Sequence, residues 1–480
     1  MRRRVLIPLM LLGLVAACAT NPVTGRRELS FMSEAQEISI AQESDPQIKE
    51  EMGVYNDPEL QAYVADIGQR IAQISERPHL PWRFTVVDVP AVNAFAVPGG
   101  AIYITRGILP FLDSEAELAG VIGHEIGHVT ARHSAQQYTQ QVSGQVGLLA
   151  LSIFVPQARP FSELSGQALG VLFMKYGRDD ELQADRLGAR YEATLGWDPA
   201  AVPEFLSTLG RLAEAAGDRR GVPNWLSTHP EPLSRVQDVQ ATVDELRSSG
   251  ASYVTNRDEW IRRVDGVIFG DNPDQGLARG RAFLHPVLRF QIDFPDQWEI
   301  ANSPQQVVAR APGTDAVMLL RGVADPQGQN IRDIALNSMR SAGFRAADGE
   351  AVTISGLDAF LGVYQGQIDG LGTVTMRAGH IRHDGQVYLV AGFTPPDGFR
   401  QSDATFLASI RSFRPLSAAE AEAIRPNRVD LYVVRAGDTW QAIAERSGGV
   451  VTPATLAVMN QSTLETRPQV GARIKIVVSG

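Results

Sequence analysis

"VIGHEIGHVTARH" (residues 121–133) places three histidines and a glutamate in a run that is otherwise apolar and small. On a helix, His124 and His128 lie on one face, about one turn apart. Two neutral imidazoles at that spacing can both reach one Zn2+ at roughly 2.0–2.1 Å. Glu125 falls beside the first of them, close to the metal but not on it. There it can take a proton from water that the metal has acidified. Val121, Ile122, Ile126 and Val129 make the flanks apolar, so the motif belongs inside a fold. A buried glutamate between buried histidines needs a compensating charge, and a metal provides one. The competing reading is a structural core helix with no metal.

The remaining ligand decides the type of site. A third histidine six residues after the second, with a glycine between, would complete one known pattern, but position 134 is Ser and position 131 is Ala. His133 is one place short and on another side of the helix from His124, so it is expected to support the site from behind or to sit in the core. Downstream, "YGRDDELQADRLGARY" (176–191) presents Glu181 and Asp185 four apart on one helical face. Glu181 would complete a His2Glu set with the fourth position left for water. Asp185 would hydrogen-bond a ligand histidine and fix its tautomer. The alternative for these acids is a solvated helix face, since Asp179, Asp180 and Arg186 are charged too.

Working outward, the 480 residues are too many for one core and suggest two to four domains. The composition, 44% apolar and 20% charged, is that of a folded chain, and a net charge of −10 with no basic block after Arg4 argues against nucleic acid. "MRRRVLIPLMLLGLVAAC" has a basic start, an apolar stretch and small residues before Cys18, the pattern of a secretory signal at 1–17. Val15-Ala16-Ala17-Cys18 resembles a bacterial lipobox. That resemblance implies a lipidated Cys18 as first residue of the mature chain, and Ala19 in place of Asp implies the outer membrane, facing the periplasm. Cys18 is the only cysteine, so it has no disulfide partner. Two or three acyl chains would hold it stably in a bilayer.

From 18 to 265 the pattern is mainly helical with a small sheet. "DPELQAYVADIGQRIAQIS" (57–75) reads as a helix entered through Asp and Pro. The stretch 82–107 alternates apolar and polar residues and predicts two short strands with Pro98-Gly99-Gly100 as a turn. The helix carrying the histidines is expected over 113–138, with others at about 162–196, 199–216 and 232–248. The apolar stretch 142–175 is interrupted by Gln157, Arg159, Pro160, Ser162 and Glu163, and each half falls short of the roughly 20 residues a membrane span needs. It reads as a packed helix pair or a substrate-facing lid rather than a membrane hairpin.

After a linker (266–282) the character changes. Residues 283–415 alternate strands and Gly/Asp turns with helices at "IRDIALNSM" and "SDATFLASIRSF", an α+β domain. A second linker (416–429) leads to 430–480, which reads strand, helix, helix, strand. The fold expected is thus multidomain.

The pairing of His124-Glu-Ile-Gly-His128 with Glu181-Leu-Gln-Ala-Asp185 resembles family 48 of the metallopeptidases. These are zinc gluzincins that include CAAX prenyl proteases, HtpX-like membrane proteases and BepA-like periplasmic proteases. The resemblance runs over roughly 21–250 and includes "NPVTGRRELSFMSEAQE", "VNAFAVPGGAIYITRGIL" and "STHPEPLSR". It implies a zincin-like domain holding one zinc ion, and a protease cutting polypeptides in the periplasm. It further implies that Asn93 and Ala94 begin an edge strand that holds extended substrate, and that His229 and Arg235 belong to the family's H-P-x-x-x-x-R element. His229 would then stabilise the oxyanion or occupy the open metal position in a latent form; both remain open here. The membrane spans of some branches and the helical repeats of the BepA-like branch are not evident. Residues 283–415 instead resemble a PsbP/Mog1-like fold, on "HPVLRFQIDFPDQW". Residues 430–480 resemble a LysM module, on "YVVRAGDTWQAIAERSG", "LAVMNQ" and "VGARIKI", which implies peptidoglycan as a partner. Two other functions stand beside the protease: a latent or chaperone-like, peptidoglycan-associated binding protein whose zinc site is plugged by His229, and a zinc peptidoglycan hydrolase.

Overall fold

The computed structural model describes residues 18–147, 175–216, 225–230, 232–325, 329–368 and 371–480. The expected signal segment and most of the apolar stretch 142–175 lie outside the described residues. The chain divides into two compact units. The first holds residues up to Lys49, Val54–Gly270 and Asn427–Ser479; the second holds Glu50–Gly53, Asp271–Pro426 and Gly480. Among the described residues no helix is long and apolar enough to cross a membrane.

The first unit opens on a hairpin of β1 (Cys18–Thr20) and β2 (Arg27–Leu29), followed by α1 (Glu34–Met52) and α2 (Pro58–Ile74). Asp57 caps α2 by accepting from the Leu60 N–H at 3.0 Å, with Pro58 at the first helical position. Leu60, Val64, Ile67 and Ile71 fall at helical spacing and are all buried. Three strands follow where alternation predicts two: β3 (Arg83–Val87), β4 (Ala94–Val97) and β5 (Ala101–Thr105). β5 is central, with β3 parallel and β4 antiparallel to it. β4 and β5 are buried on both faces, which removes the polar alternation that separates a strand from its neighbours in sequence.

A 3-10 turn (Arg106–Phe111) leads into α3 (Glu115–Thr130), which Ser114 caps by accepting from the Glu117 N–H at 3.1 Å. Every residue of α3 is buried. The helix expected over 113–138 ends early: Arg132 takes a positive φ of 61°, and α4 (His133–Gly147) starts in a new direction. The carbonyls of Val129 and Ala131 accept instead from Arg77 Nη1 at 2.9 Å and Asn21 Nδ2 at 3.1 Å. α5 (Arg178–Leu195) packs along α3 and stops at Gly196, whose φ of 86° suits a left-handed helix end. Backbones come close in that seam. A Cβ at Gly123 would lie 3.1 Å from Gly188 Cα, and one at Gly127 would lie 3.1 Å from Ala184 Cα. Then come α6 (Ala201–Ala216), the single turn α7 (Trp225–Thr228), α8 (Pro232–Arg247), α9 (Arg257–Val264) and β6 (Ile268–Phe269).

The second unit is a β-rich body. Short strands β7 (Leu277–Arg279), β8 (Ala282–His285) and β9 (Phe290–Asp293) precede β10 (Glu299–Asn302), β11 (Gln306–Arg310) and β12 (Val317–Val323). α10 (Ile331–Ser341) is followed by β13 (Arg345–Ile354), β14 (Leu357–Ile368), β15 (Gly372–His383) and β16 (Gln386–Thr394). α11 (Pro396–Arg411), β17 (Arg414–Pro415) and α12 (Ala418–Ala423) end it. The large antiparallel sheet has seven strands in the order β10-β11-β12-β16-β15-β14-β13, and a four-stranded sheet has the order β17-β9-β8-β7. Phe406 and Ile410 of α11 share a core with Ile381 and Val390, whereas Met339 of α10 shares one with Leu389 and Ala391. Alternate residues of β16 thus serve opposite faces.

The chain then returns to the first unit through β18 (Asn427–Val433), α13 (Trp440–Arg446), α14 (Pro453–Met459) and β19 (Arg473–Val478). β18 pairs with β19 on one side and with β6 on the other. Trp440, Leu456, Val458 and Met459 share a core with Phe111 and Leu212. Lys475, fully buried, donates to the Leu112 carbonyl and lies 3.4 Å from Asp113.

Candidate metal centre

Four side chains from three elements converge between α3, α5 and the turn after α7. His124, His128, Glu181 and His229 each offer a ligand atom, all four are buried, and these atoms lie within 4.8 Å of one another. His124 Nε2 and His128 Nε2 are 3.0 Å apart. Glu181 approaches His128 Nε2 at 3.5 Å and His124 Nε2 at 3.7 Å. His229 Nδ1 is 2.8 Å from Glu181 Oε1 and 3.3 Å from His124 Nε2.

The surroundings assign the tautomers. Asp185 Oδ1 lies 2.9 Å from His124 Nδ1, and a carboxylate accepts, so that nitrogen carries the proton and Nε2 presents a lone pair inward. His128 Nδ1 is 2.8 Å from His133 Nδ1, and His133 Nε2 is 3.0 Å from Gln183 Oε1. If Gln183 Oε1 accepts from His133 Nε2, then His133 Nδ1 must accept from His128 Nδ1, and His128 Nε2 also presents a lone pair. Two imidazole lone pairs facing each other at 3.0 Å repel unless a cation sits between them. Three imidazoles and a carboxylate, with the second nitrogens of His124 and His128 already occupied, are a donor set suited to zinc.

Arg235 closes the acidic side. Its Nε donates to Asp185 Oδ2 at 2.8 Å, its Nη2 to Asp185 Oδ1 at 2.6 Å, and its Nη1 to Glu181 Oε2. Burial alone would raise the Glu181 carboxyl, but His229, His128 and Arg235 together hold it well below the usual carboxylate range. Asp185 is likewise held low against burial by Arg235 and His124. Burial pushes His128 well below the usual imidazole range. His229 goes the other way: burial would lower it, yet the carboxylates of Glu181 and Glu125 hold it above.

Glu125 stands apart. Its buried carboxylate accepts no side-chain hydrogen bond among the described residues; the backbone N–H of Ala96 in β4 favours its charged form, and His229 Nε2 is 3.5 Å away. Burial raises its affinity for a proton, against the pull of His229 and His124.

The expected site residues fall into three places. His124, His128, Glu181 and His229 form the cluster, with Glu125, Asp185, Arg235 and His133 around it. Ala94 is the first residue of β4, an edge strand of its sheet that packs against α3. Asn93, just before it, donates its N–H to Thr105 Oγ1 at 2.9 Å, while its side-chain oxygen is buried with no partner among the described residues. Cys18 is in β1, paired with Leu29, and is not part of the cluster. Two aromatic residues escaped the sequence reading. Tyr176 stacks on His128 with ring centres 3.8 Å apart, and Trp225 stacks on His229 at 4.2 Å. Trp225 could have been found from its spacing, since it lies one helical turn before His229, whose N–H donates to its carbonyl at 2.7 Å.

Residues 58–243 match the model of Peptidase family M48. The chain is 30% identical over 322 residues to the beta-barrel assembly-enhancing protease of Escherichia coli (strain K12), covering 64% of this chain and 62% of that one. It is 32% identical over 239 residues to the mitochondrial metalloendopeptidase OMA1 of Schizosaccharomyces pombe, covering 47% and 66%. The chain therefore spans less than two thirds of the beta-barrel assembly-enhancing protease it matches. Among solved structures, cyanobacterial PsbP from Synechocystis sp. PCC 6803 is similar at 13% identity and a TM-score of 0.24, covering 29% of this chain and 95% of that one, too low a score to bear on fold. Residues 58–243 thus form a domain of peptidase family M48.

Proposed function

We propose that this chain is a zinc-dependent metalloendopeptidase of the bacterial periplasm that hydrolyses peptide bonds of misfolded or envelope proteins. The observation that carries this reading is a buried Glu125, without a side-chain hydrogen bond among the described residues, beside four ligand atoms within 4.8 Å of one another. His124, His128 and Glu181 would hold one zinc ion, with His229 within reach as a fourth donor. When bound, zinc supplies Lewis-acid polarisation of the scissile carbonyl and acidifies water. Extended substrate would add to β4 through main-chain hydrogen bonds beginning at Asn93 and Ala94. Glu125, whose burial favours taking up a proton, accepts one from the attacking water and returns it to the leaving amine nitrogen. Asp185 holds His124 in one tautomer, and Arg235 holds Asp185 and Glu181 in place.

Around this centre, Cys18 serves as a lipid anchor in the outer membrane, residues 430–480 as a LysM-like module for peptidoglycan, and residues 283–415 as a PsbP/Mog1-like domain. The test compares cleavage of unfolded protein and of purified peptidoglycan, with zinc content measured alongside. Wild type is expected to cut the unfolded protein only. Glu125→Gln is expected to keep zinc and lose cleavage; cleavage by that variant would sink the assignment.

A second reading has its own observation. His229 Nδ1, at 2.8 Å from Glu181 and 3.3 Å from His124, stands where it can plug the site. The protein would then be latent, a peptidoglycan-associated binding or chaperone-like protein until His229 leaves. On that reading His229→Ala cleaves faster than wild type; slower cleavage assigns His229 to oxyanion stabilisation.

A further inference from the structure

Three large apolar side chains stand exposed beside the start of the described chain: Leu29 (39%), Phe31 (41%) and Tyr138 (36%). Arg27, Leu29 and Phe31 are exposed at alternate positions, one outward face of β2 and its extension. Between them Glu28 is tied down by Asn21 Nδ2 at 3.3 Å and Gln136 Nε2 at 2.8 Å, and Met32 is buried. The Phe31 N–H donates to Thr139 Oγ1 at 3.0 Å, which seats Phe31 next to Tyr138 on α4. Gln137 Nε2 donates to the Lys175 carbonyl at 3.1 Å and brings that lysine alongside. Arg26, Arg27 and Lys175 are exposed, and among the described residues no carboxylate pairs with them. An acidic chain of net charge −10 thus carries a small cationic, aromatic and apolar face at one place.

We infer that this face lies on the surface of a lipid bilayer bearing anionic headgroups. Phe, Tyr and Leu enter the boundary between headgroups and acyl chains, and exposed cations beside them attract anionic lipid. The inference rests on the proposed acylation of Cys18 and deepens it. Cys18 is the strand partner of Leu29, so their Cα atoms are held roughly 4.5–5.5 Å apart. An acylated Cys18 would therefore have no linker, since its backbone is part of the strand pair that carries the face. The consequence reaches the metal centre. Asn21, three residues and roughly 10 Å of chain from Cys18, holds the Ala131 carbonyl just past the end of α3. His128 is three residues before Ala131, roughly 5 Å along the helix. The ligand cluster then works within roughly 20 Å of the bilayer surface, and its substrates are polypeptides that lie on or emerge from that surface.

The test uses the full mature chain with Cys18→Ser, which bears no acyl chain, so that vesicle binding reports on the face alone. Acylation of wild-type Cys18 is scored separately, by mass. The expected result is sedimentation with phosphatidylcholine vesicles containing phosphatidylglycerol. Replacing Arg26 and Arg27 by Gln weakens this about 30-fold, the effect of two cations at about 1 kcal/mol each. Leu29→Ser, Phe31→Ser and Tyr138→Ser together abolish it while circular dichroism and cleavage of a soluble unfolded protein stay unchanged. The inference is overturned if the parent ignores these vesicles or if the triple variant binds as well as the parent. It is equally overturned if the face proves to be a self-association surface, seen as a dimer in sedimentation velocity that the triple variant disperses.

Discussion

Arg235 and Asp185 form a buried, two-pronged ion pair, with bonds of 2.8 and 2.6 Å, and the same carboxylate receives His124 Nδ1 at 2.9 Å. The guanidinium, which touches none of the imidazoles through a hydrogen bond, thus orients a histidine through an intermediary. Asp185→Asn keeps the shape and removes the charge that fixes the tautomer of His124. Metal affinity is expected to fall about 10- to 100-fold, measured by competition with a chromogenic chelator. Unchanged affinity would remove Asp185 from the support of the centre.

Two buried cations in this unit are expected to respond oppositely to replacement by Met. Arg235→Met leaves Asp185 and Glu181 buried without their partner, a loss of about 3–5 kcal/mol. Lys475→Met leaves little unpaired. Asp113 keeps Arg257 Nε at 2.6 Å, and the Leu112 carbonyl keeps Trp260 Nε1 at 2.8 Å. Burial pushes Glu117 well above the carboxylate range, which disfavours a bare charge there. A change within about 1 kcal/mol is expected there. Urea denaturation of both variants, followed by near-ultraviolet circular dichroism, measures the contrast; equal losses would refute it.

The second unit carries a pH dependence of its own. His380 is fully buried in β15 with neither ring nitrogen hydrogen-bonded among the described residues, and burial lowers it from 6.5 to about 4. Above pH 6.5 neither the folded nor the unfolded form gains a proton. Between 6.5 and about 4 the unfolded chain takes one and the folded chain does not, so stability falls as the pH falls, by about 1.4 kcal/mol per unit at most. Below about 4 this loss is complete, at about 3 kcal/mol. Pulse proteolysis in urea at pH 7 and pH 5, following fragments of residues 271–426, reads the effect. His285 of β8 is likewise lowered by burial to about 4, so His380→Leu is expected to remove about half of the slope, and an unchanged slope would assign it elsewhere.

The convergence of His124, His128 and Glu181 was legible because a helix repeats every 3.6 residues. His124 and His128, like Glu181 and Asp185, declare their shared face by spacing alone, and their chemistry is unusual for a buried helix. Tyr176 was not legible, since its stacking on His128 depends on where a loop brings it before α5. The end of α3 at Ala131 was hidden too, because it depends on Arg77 and Asn21, far away in sequence, taking the carbonyls there. Lys475 sits in "RIKIVV", which reads as a strand with one polar position facing water. Its burial follows from tertiary docking of β19 beside Leu112, and no local pattern records that.

The glycine seam between α3 and α5 bears on which ions the centre accepts. His124 and His128 ride on one helix and Glu181 on the other, so the separation of the two backbones sets the bite of the ligand set. Gly123, Gly127 and Gly188 let those backbones meet where a methyl group would press at 3.1–3.2 Å. Ala at position 123 would act as a shim, moving the carboxylate by tenths of an ångström while leaving every donor chemically intact. On the proposed reading, the metal preference of the centre would depend partly on residues that never touch the ion, and a graded series of side chains at 123 would tune the cage radius.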